Sequence, residues 1–141
     1  MNRERNYLIG TRNITTQTVL AGGIINLGPT YRVYEDSDRC GIETFDASGT
    51  AITANWSGIY KVTATLVGTG TEAGDVTVQL LANGVPVVGE FSTETITTPD
   101  TEFRTFTIDT FILVFSHSGL SLDHKKEQTT DSFNKENEFH M

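Results

Sequence analysis

A chain of 141 residues with 37% hydrophobic content has room for one domain with a buried core and little room for a second. Ten Lys and Arg against eighteen Asp and Glu give a net charge of −8, which sets the chain against nucleic-acid phosphates and acidic membrane surfaces. Cys40 is the single cysteine, so an intrachain disulfide is excluded, and no run approaches the roughly 18 apolar residues of a membrane-spanning helix.

Residues 1–16 open with Arg3, Arg5 and Arg12 and carry no apolar run of the kind a secretory leader needs. They read as an N-terminal arm, and the chain is expected to be made in the cytoplasm and to leave it, if at all, within a larger particle such as a virion or a cell-surface assembly. Val19-Leu20-Ala21, a Gly22-Gly23 kink and Ile24-Ile25-Asn26-Leu27 read as two short strand pieces separated by a bend. Tyr31, Val33 and Tyr34 form a short apolar patch before the acidic run Glu35, Asp36 and Asp38. Ile42 and Phe45 lead into the turn Ala47-Ser48-Gly49, after which Ala51-Ile52-Thr53 delivers Trp56.

The strongest signal begins at Gly58. Tyr60, Val62, Ala64 and Leu66 alternate with Lys61, Thr63 and Thr65, so the first set falls on the buried face of a strand. After Gly68, Gly70 and Gly74 the alternation resumes with Val76, Val78 and Leu80. It ends at Asn83-Gly84, a pair that readily takes positive φ and closes a two-residue hairpin. Pro86, which lacks a ladder donor, marks an edge or a bulge in the strand beyond the turn. Ser92–Asp100 reads as a polar loop. From Glu102 to Val114 the pattern returns, with Phe106, Ile108, Ile112 and Val114 on one face and Phe103, Thr105, Thr107 and Asp109 on the other. No stretch has a helical period, and about six strands are expected through Val114.

Beyond Phe115 the composition turns polar and takes in all three histidines, His117, His124 and His140. Residues 115–141 therefore read as a disordered or loosely helical tail outside a sandwich domain of residues 17–114.

Weighed for chemistry, the chain offers little. Glu35, Asp36, Asp38 and Glu43 match no calcium-loop spacing and read as a solvated loop, so no metal or other cofactor is expected. His117 and His124, with Asp123 near, sit where a rigid acid–base or zinc site is not expected, and Ser116-His117-Ser118 has no nucleophile elbow around it. Asn13-Ile14-Thr15 and Asn55-Trp56-Ser57 match the glycosylation pattern and, without a leader, read as coincidental. Gly68-Thr69-Gly70-Thr71 lacks the Lys-Ser/Thr ending of a phosphate loop. An enzyme is not expected.

Trp56, Tyr31 and Tyr34 are the aromatic residues that could stack on a glycan, and a carbohydrate-binding module is the alternative reading they support. The preferred one turns on the back of the Gly58–Gly70 strand, where Ile59, Lys61, Thr63, Thr65 and Val67 form a mixed surface suited to contact between subunits. Tyr60, Val62, Leu66, Val76, Val78, Leu80, Phe106 and Ile108 are expected in the core.

The run Trp56-Ser57-Gly58-Ile59-Tyr60-Lys61-Val62, then Asp75 to Ala82, then Asn83-Gly84-Val85-Pro86-Val87 resembles the tumour necrosis factor-like and complement globular-head superfamily of trimeric jelly rolls. Among these it is most similar to small phage and prophage proteins and to heads of bacterial spore-surface filaments, to which Ala21–Gly28 also has a likeness. The resemblance spans residues 17–114 and implies an antiparallel jelly-roll β-sandwich, a homotrimer or contact with other virion or surface proteins, and a structural or adhesive role. In that family further strands come after the one matching Glu102–Val114. The polar tail offers none, so a sandwich missing its last strands is expected.

Overall fold

The computed structural model of the chain describes residues 8–34, 45–115, 117–124 and 130–140. They hold eleven strands: β1 (Leu8–Asn13), β2 (Gln17–Leu20), β3 (Thr30–Tyr34), β4 (Phe45–Ala47), β5 (Ile52–Ala54), β6 (Gly58–Gly70), β7 (Gly74–Ala82), β8 (Val85–Ile96), β9 (Arg104–Val114), β10 (Ser118–His124) and β11 (Thr130–His140). Two antiparallel sheets result. One runs β3-β1-β11-β6-β9, with β2 pairing alongside β11 as well; the other runs β4-β5-β10-β7-β8. From β5 onward the chain passes repeatedly between the sheets, returning to the first for β6, β9 and β11. This is an all-β jelly-roll sandwich.

The two-residue alternation decides which side chains meet between the layers. In β6, Val62, Ala64 and Leu66 are buried and Tyr60 packs against them half-buried. Val76, Val78 and Leu80 of β7 and Phe106, Ile108 and Val114 of β9 complete the same cluster with Ile52, Ile96, Leu120 and Leu122. Each large apolar side chain so removed from water contributes about 1.5–3 kcal/mol. The Phe45 ring meets the Tyr60 ring edge-on with centroids 5.8 Å apart, and the Tyr60 hydroxyl donates to the Trp56 carbonyl at 2.7 Å.

Asn83 and Gly84 take φ of 50° and 78°, and β8 leaves the turn as the edge strand of its sheet. Pro86 lies opposite Leu81, beside a register irregularity between Gln79 and Leu81. An edge strand tolerates the missing donor.

The last stretch differs most from its expectation as a tail. Leu120 and Leu122 are spaced by two, are essentially inaccessible, and place β10 between β5 and β7. Strand β11 lies between β6 on one side and β1 and β2 on the other. The sandwich does not lack its last strands: composition reads side chains, whereas a central strand is held by ladder hydrogen bonds along both edges.

Three smaller differences have local causes. The expected arm contains β1, whose Ile9 is buried and which pairs with both β3 and β11. Ile24–Leu27 makes no strand; Ile24 forms a single bridge to Asp123, and the Ile25 amide donates to the Leu122 carbonyl, so Ile25 and Leu27 enter the core from a loop. The expected loop after Ser92 is strand as far as Ile96, because Thr93 and Thr95 pair across to β7, their hydroxyls meeting Thr77 and Asp75 at 2.8 and 2.7 Å. Nine strands, not six, precede Phe115 among the described residues. Cys40 and the acidic group Glu35, Asp36, Asp38 and Glu43 lie outside the described residues.

Candidate functional site

The outward face of β6 and β9 is the first surface of interest. Register pairs Ile59 with Leu113, Lys61 with Phe111, Thr63 with Asp109, Thr65 with Thr107 and Val67 with Thr105. Ile59 is 74% exposed, Phe111 69% and Leu113 63%, and Phe115 continues the row just past the strand, also exposed. Lys61 stands 5.9 Å from the Phe111 ring centroid and 3.9 Å from the Asp109 carboxylate, which also accepts a bond from the Thr63 hydroxyl at 3.4 Å. Thr63, Thr65 and Val67 are half-buried. The face is thus apolar at the Ile59 end and polar from Thr63 onward. Sequence reading named the β6 half of this surface and missed Phe111, Leu113 and Phe115. The signal was available, since Ile112 and Val114 on the core face put Phe111, Leu113 and Phe115 on the other.

The second surface is a groove of about 480 Å³ bordered by Arg12, Asn13, Ile14, Thr15, Asn26, Gly28, Pro29 and Tyr31. Its floor is a closed hydrogen-bond set. The buried Asn13 amide donates to the Asn26 carbonyl at 3.1 Å, while its Oδ1 accepts from the Thr15 amide and hydroxyl at 3.0 and 2.6 Å. Gln17 donates to and accepts from the Asn26 backbone, and the Gly28 amide donates to Asn26 Oδ1, each at 2.8 Å. Gly28 has φ of 79°, and a Cβ there would strike the Arg12 carbonyl and lie 2.7 Å from Asn13 Cα, so backbone packs directly on backbone. The Arg12 guanidinium lies 4.3 Å from the Tyr31 ring centroid and that of Arg32 5.7 Å, both in the range of cation–π attraction.

The expected aromatic set is not brought together. Tyr31 stands at the irregularity between β1 and β3, next to Arg32, whose row runs through Gly10 and His140 to Thr63, and Trp56 precedes Thr63 by seven positions. At about 3.3 Å per residue that is roughly 20 Å along the strands, with two further strands between. Trp56 is half-buried in the turn ahead of β6, and Tyr34 pairs with Leu8 at the start of β1. Along this register Trp56 and Tyr31 are not brought onto one surface. Asn13, with its side chain buried and committed to Asn26 and Thr15, is closed to glycosylation.

His117 does not lie in an unstructured tail. Its amide donates to the Ala54 carbonyl at 2.6 Å and its Nδ1 lies 3.3 Å from Asn55 Oδ1, while Asn55 donates to Asp46 at 2.9 Å. Ser118 turns towards the Asn83 amide, 3.4 Å away, rather than towards the imidazole. His124 falls within β10 opposite Val78, and Ser116 lies outside the described residues. Among the described residues no three His, Cys, Asp or Glu side chains come together as a metal site, and no helix is long and apolar enough to cross a membrane.

No protein-family model matches the chain, and no curated protein is similar to it in sequence. Solved structures are similar to it in fold. The chain is similar to the Eiger tumour necrosis factor of S. frugiperda, with a TM-score of 0.68 and 9% identity over 96% of this chain and 92% of that one. It is also similar to the globular domain of zebrafish complement 1qA, with a TM-score of 0.59 and 7% identity over 94% and 95%. At such identity the likeness establishes a shared fold, the tumour necrosis factor and complement head jelly roll, across nearly the whole chain.

Proposed function

We propose that this protein is a non-enzymatic assembly module that forms a homotrimer through the outward face of β6 and β9 and serves a structural or adhesive role on a phage or prophage particle. The observation that carries the assembly is the row of Ile59, Phe111, Leu113 and Phe115, four large apolar side chains left in water on one sheet margin. Soluble monomers rarely expose such a contiguous group. The same sheet presents a different, polar surface beyond Thr63. Two unlike patches on one subunit suit a head-to-tail contact that closes into a ring, whereas a two-fold dimer needs one self-complementary patch. The likeness of the fold to trimeric jelly rolls favours closure at three.

The particle context is supported by the likeness of Ala21–Gly28 to the opening strand of small phage proteins, and the place proposed for the chain is the virion or a cell-surface particle. The non-enzymatic reading rests on the described residues, among which no three His, Cys, Asp or Glu side chains come together. Sedimentation of the full chain tests the assembly. A species of three chain masses is expected, and F111E together with L113E should return it to one chain mass with an unchanged far-ultraviolet circular dichroism spectrum. A wild-type monomer at tens of micromolar overturns the proposal.

A further inference from the structure

We propose that the groove between Arg12–Thr15 and Asn26–Tyr31 binds a carboxylate-bearing saccharide. The groove is pre-formed: its floor is tied by the Asn13, Gln17 and Asn26 hydrogen bonds, and Gly28 rests against the Arg12 and Asn13 backbone. A rigid floor lowers the ordering cost that a weak ligand has to overcome. Its volume, about 480 Å³, is in the range of small-molecule sites and suits one or two sugar rings.

Charge points to an acidic ligand. In a chain of net charge −8, Arg12 lines the groove, and its guanidinium and that of Arg32 both approach the ring of Tyr31, which lines it as well. The planar fork of Arg32, next to that ring, matches a carboxylate with two parallel hydrogen bonds. The lining groups point to a sugar. Ile14, Pro29 and Tyr31 supply apolar lining, while Thr15 and Asn26 add a hydroxyl and an amide to it. A pyranose ring has the same alternation of C–H faces and hydroxyl edges. A peptide is less well suited, because it would add along β3, the edge of its sheet among the described residues, rather than enter the groove.

The site is independent of the assembly proposed above. β3 and β9 are opposite edges of the five-strand path, roughly 19 Å apart at about 4.8 Å per strand step. The test is a titration of the full-length, isotope-labelled chain, in whichever oligomeric state it adopts, with trigalacturonic acid, a neutral maltotriose and a hexaglutamate peptide, followed by amide chemical shifts. The acidic sugar is expected to move the Thr15, Asn26, Gly28 and Tyr31 resonances. R32Q should weaken it about tenfold, the loss of one charge-assisted contact. R104Q, which removes the same charge beside Glu102, should leave the affinity unchanged. Equal binding of the neutral sugar, preferential binding of the peptide, shifts confined elsewhere, or no binding by the acidic sugar overturns the proposal.

Discussion

Asn83 and Gly119 are joined in both directions. The Asn83 amide donates to the Gly119 carbonyl at 2.8 Å, and the Gly119 amide donates to Asn83 Oδ1 at 2.9 Å. The residue whose positive φ closes the β7–β8 turn therefore also fastens that turn to the start of β10.

The two roles of Asn83 are separable. N83G keeps the turn conformation and loses the side-chain acceptor, so it is expected to cost about 1 kcal/mol in urea unfolding. N83A loses the acceptor and forces an alanine to φ near 50°, and is expected to cost about 2–3 kcal/mol. Equal costs for the two variants would show that the backbone conformation contributes nothing.

Leu120 tests whether the stretch after Phe115 belongs to the sandwich. Its side chain is fully buried between the sheets, so L120A should destabilise the protein by about 3–5 kcal/mol in the same assay. Loss below about 1 kcal/mol would mean that β10 is not packed on the core.

Glu102 provides a pH dependence. Its carboxylate accepts from the Thr97 amide and hydroxyl, each at 2.8 Å, with Arg104 Nε 3.5 Å away. The Thr97 backbone bond first, then the Thr97 hydroxyl, hold its pKa below the ordinary glutamate value, with a smaller push from Arg104. A carboxyl with a depressed folded-state pKa adds stability that is fully present above its unfolded pKa and is lost as pH falls through the folded one. E102Q should therefore show a smaller drop in urea midpoint between pH 7 and pH 3 than the wild type. An unchanged drop would contradict the role assigned to this loop clasp.

How much of this was legible in the sequence depends on whether the cause is local. The β6 alternation and the Asn83-Gly84 turn are local: one is set by the two-residue strand period, the other by the φ that two adjacent residues accept. Leu120 and Leu122 carried the same two-residue signal, but only two apolar positions among Ser and Asp are too few to outweigh a polar composition. β11 carried less still, since its place is set by the open edges of β1, β2 and β6, chosen many residues earlier. The groove was illegible for a related reason. Arg12 reads as one charge in a basic arm until β1 and β3 pair and bring it over Tyr31.

Both sheets have near their middle a strand made after the other nine. Until β10 and β11 leave the ribosome, β5 and β7, like β1 and β6, have no neighbour to join them into one sheet. The nascent chain must therefore wait with unpaired edges, and closure requires partners more than a hundred residues apart, as β1 and β11 are. Long-range closure of this kind is slow and exposes the chain to aggregation meanwhile. A chain that ends between Val114 and Ser118 has nine of the eleven described strands and lacks the one that joins the two halves of each sheet.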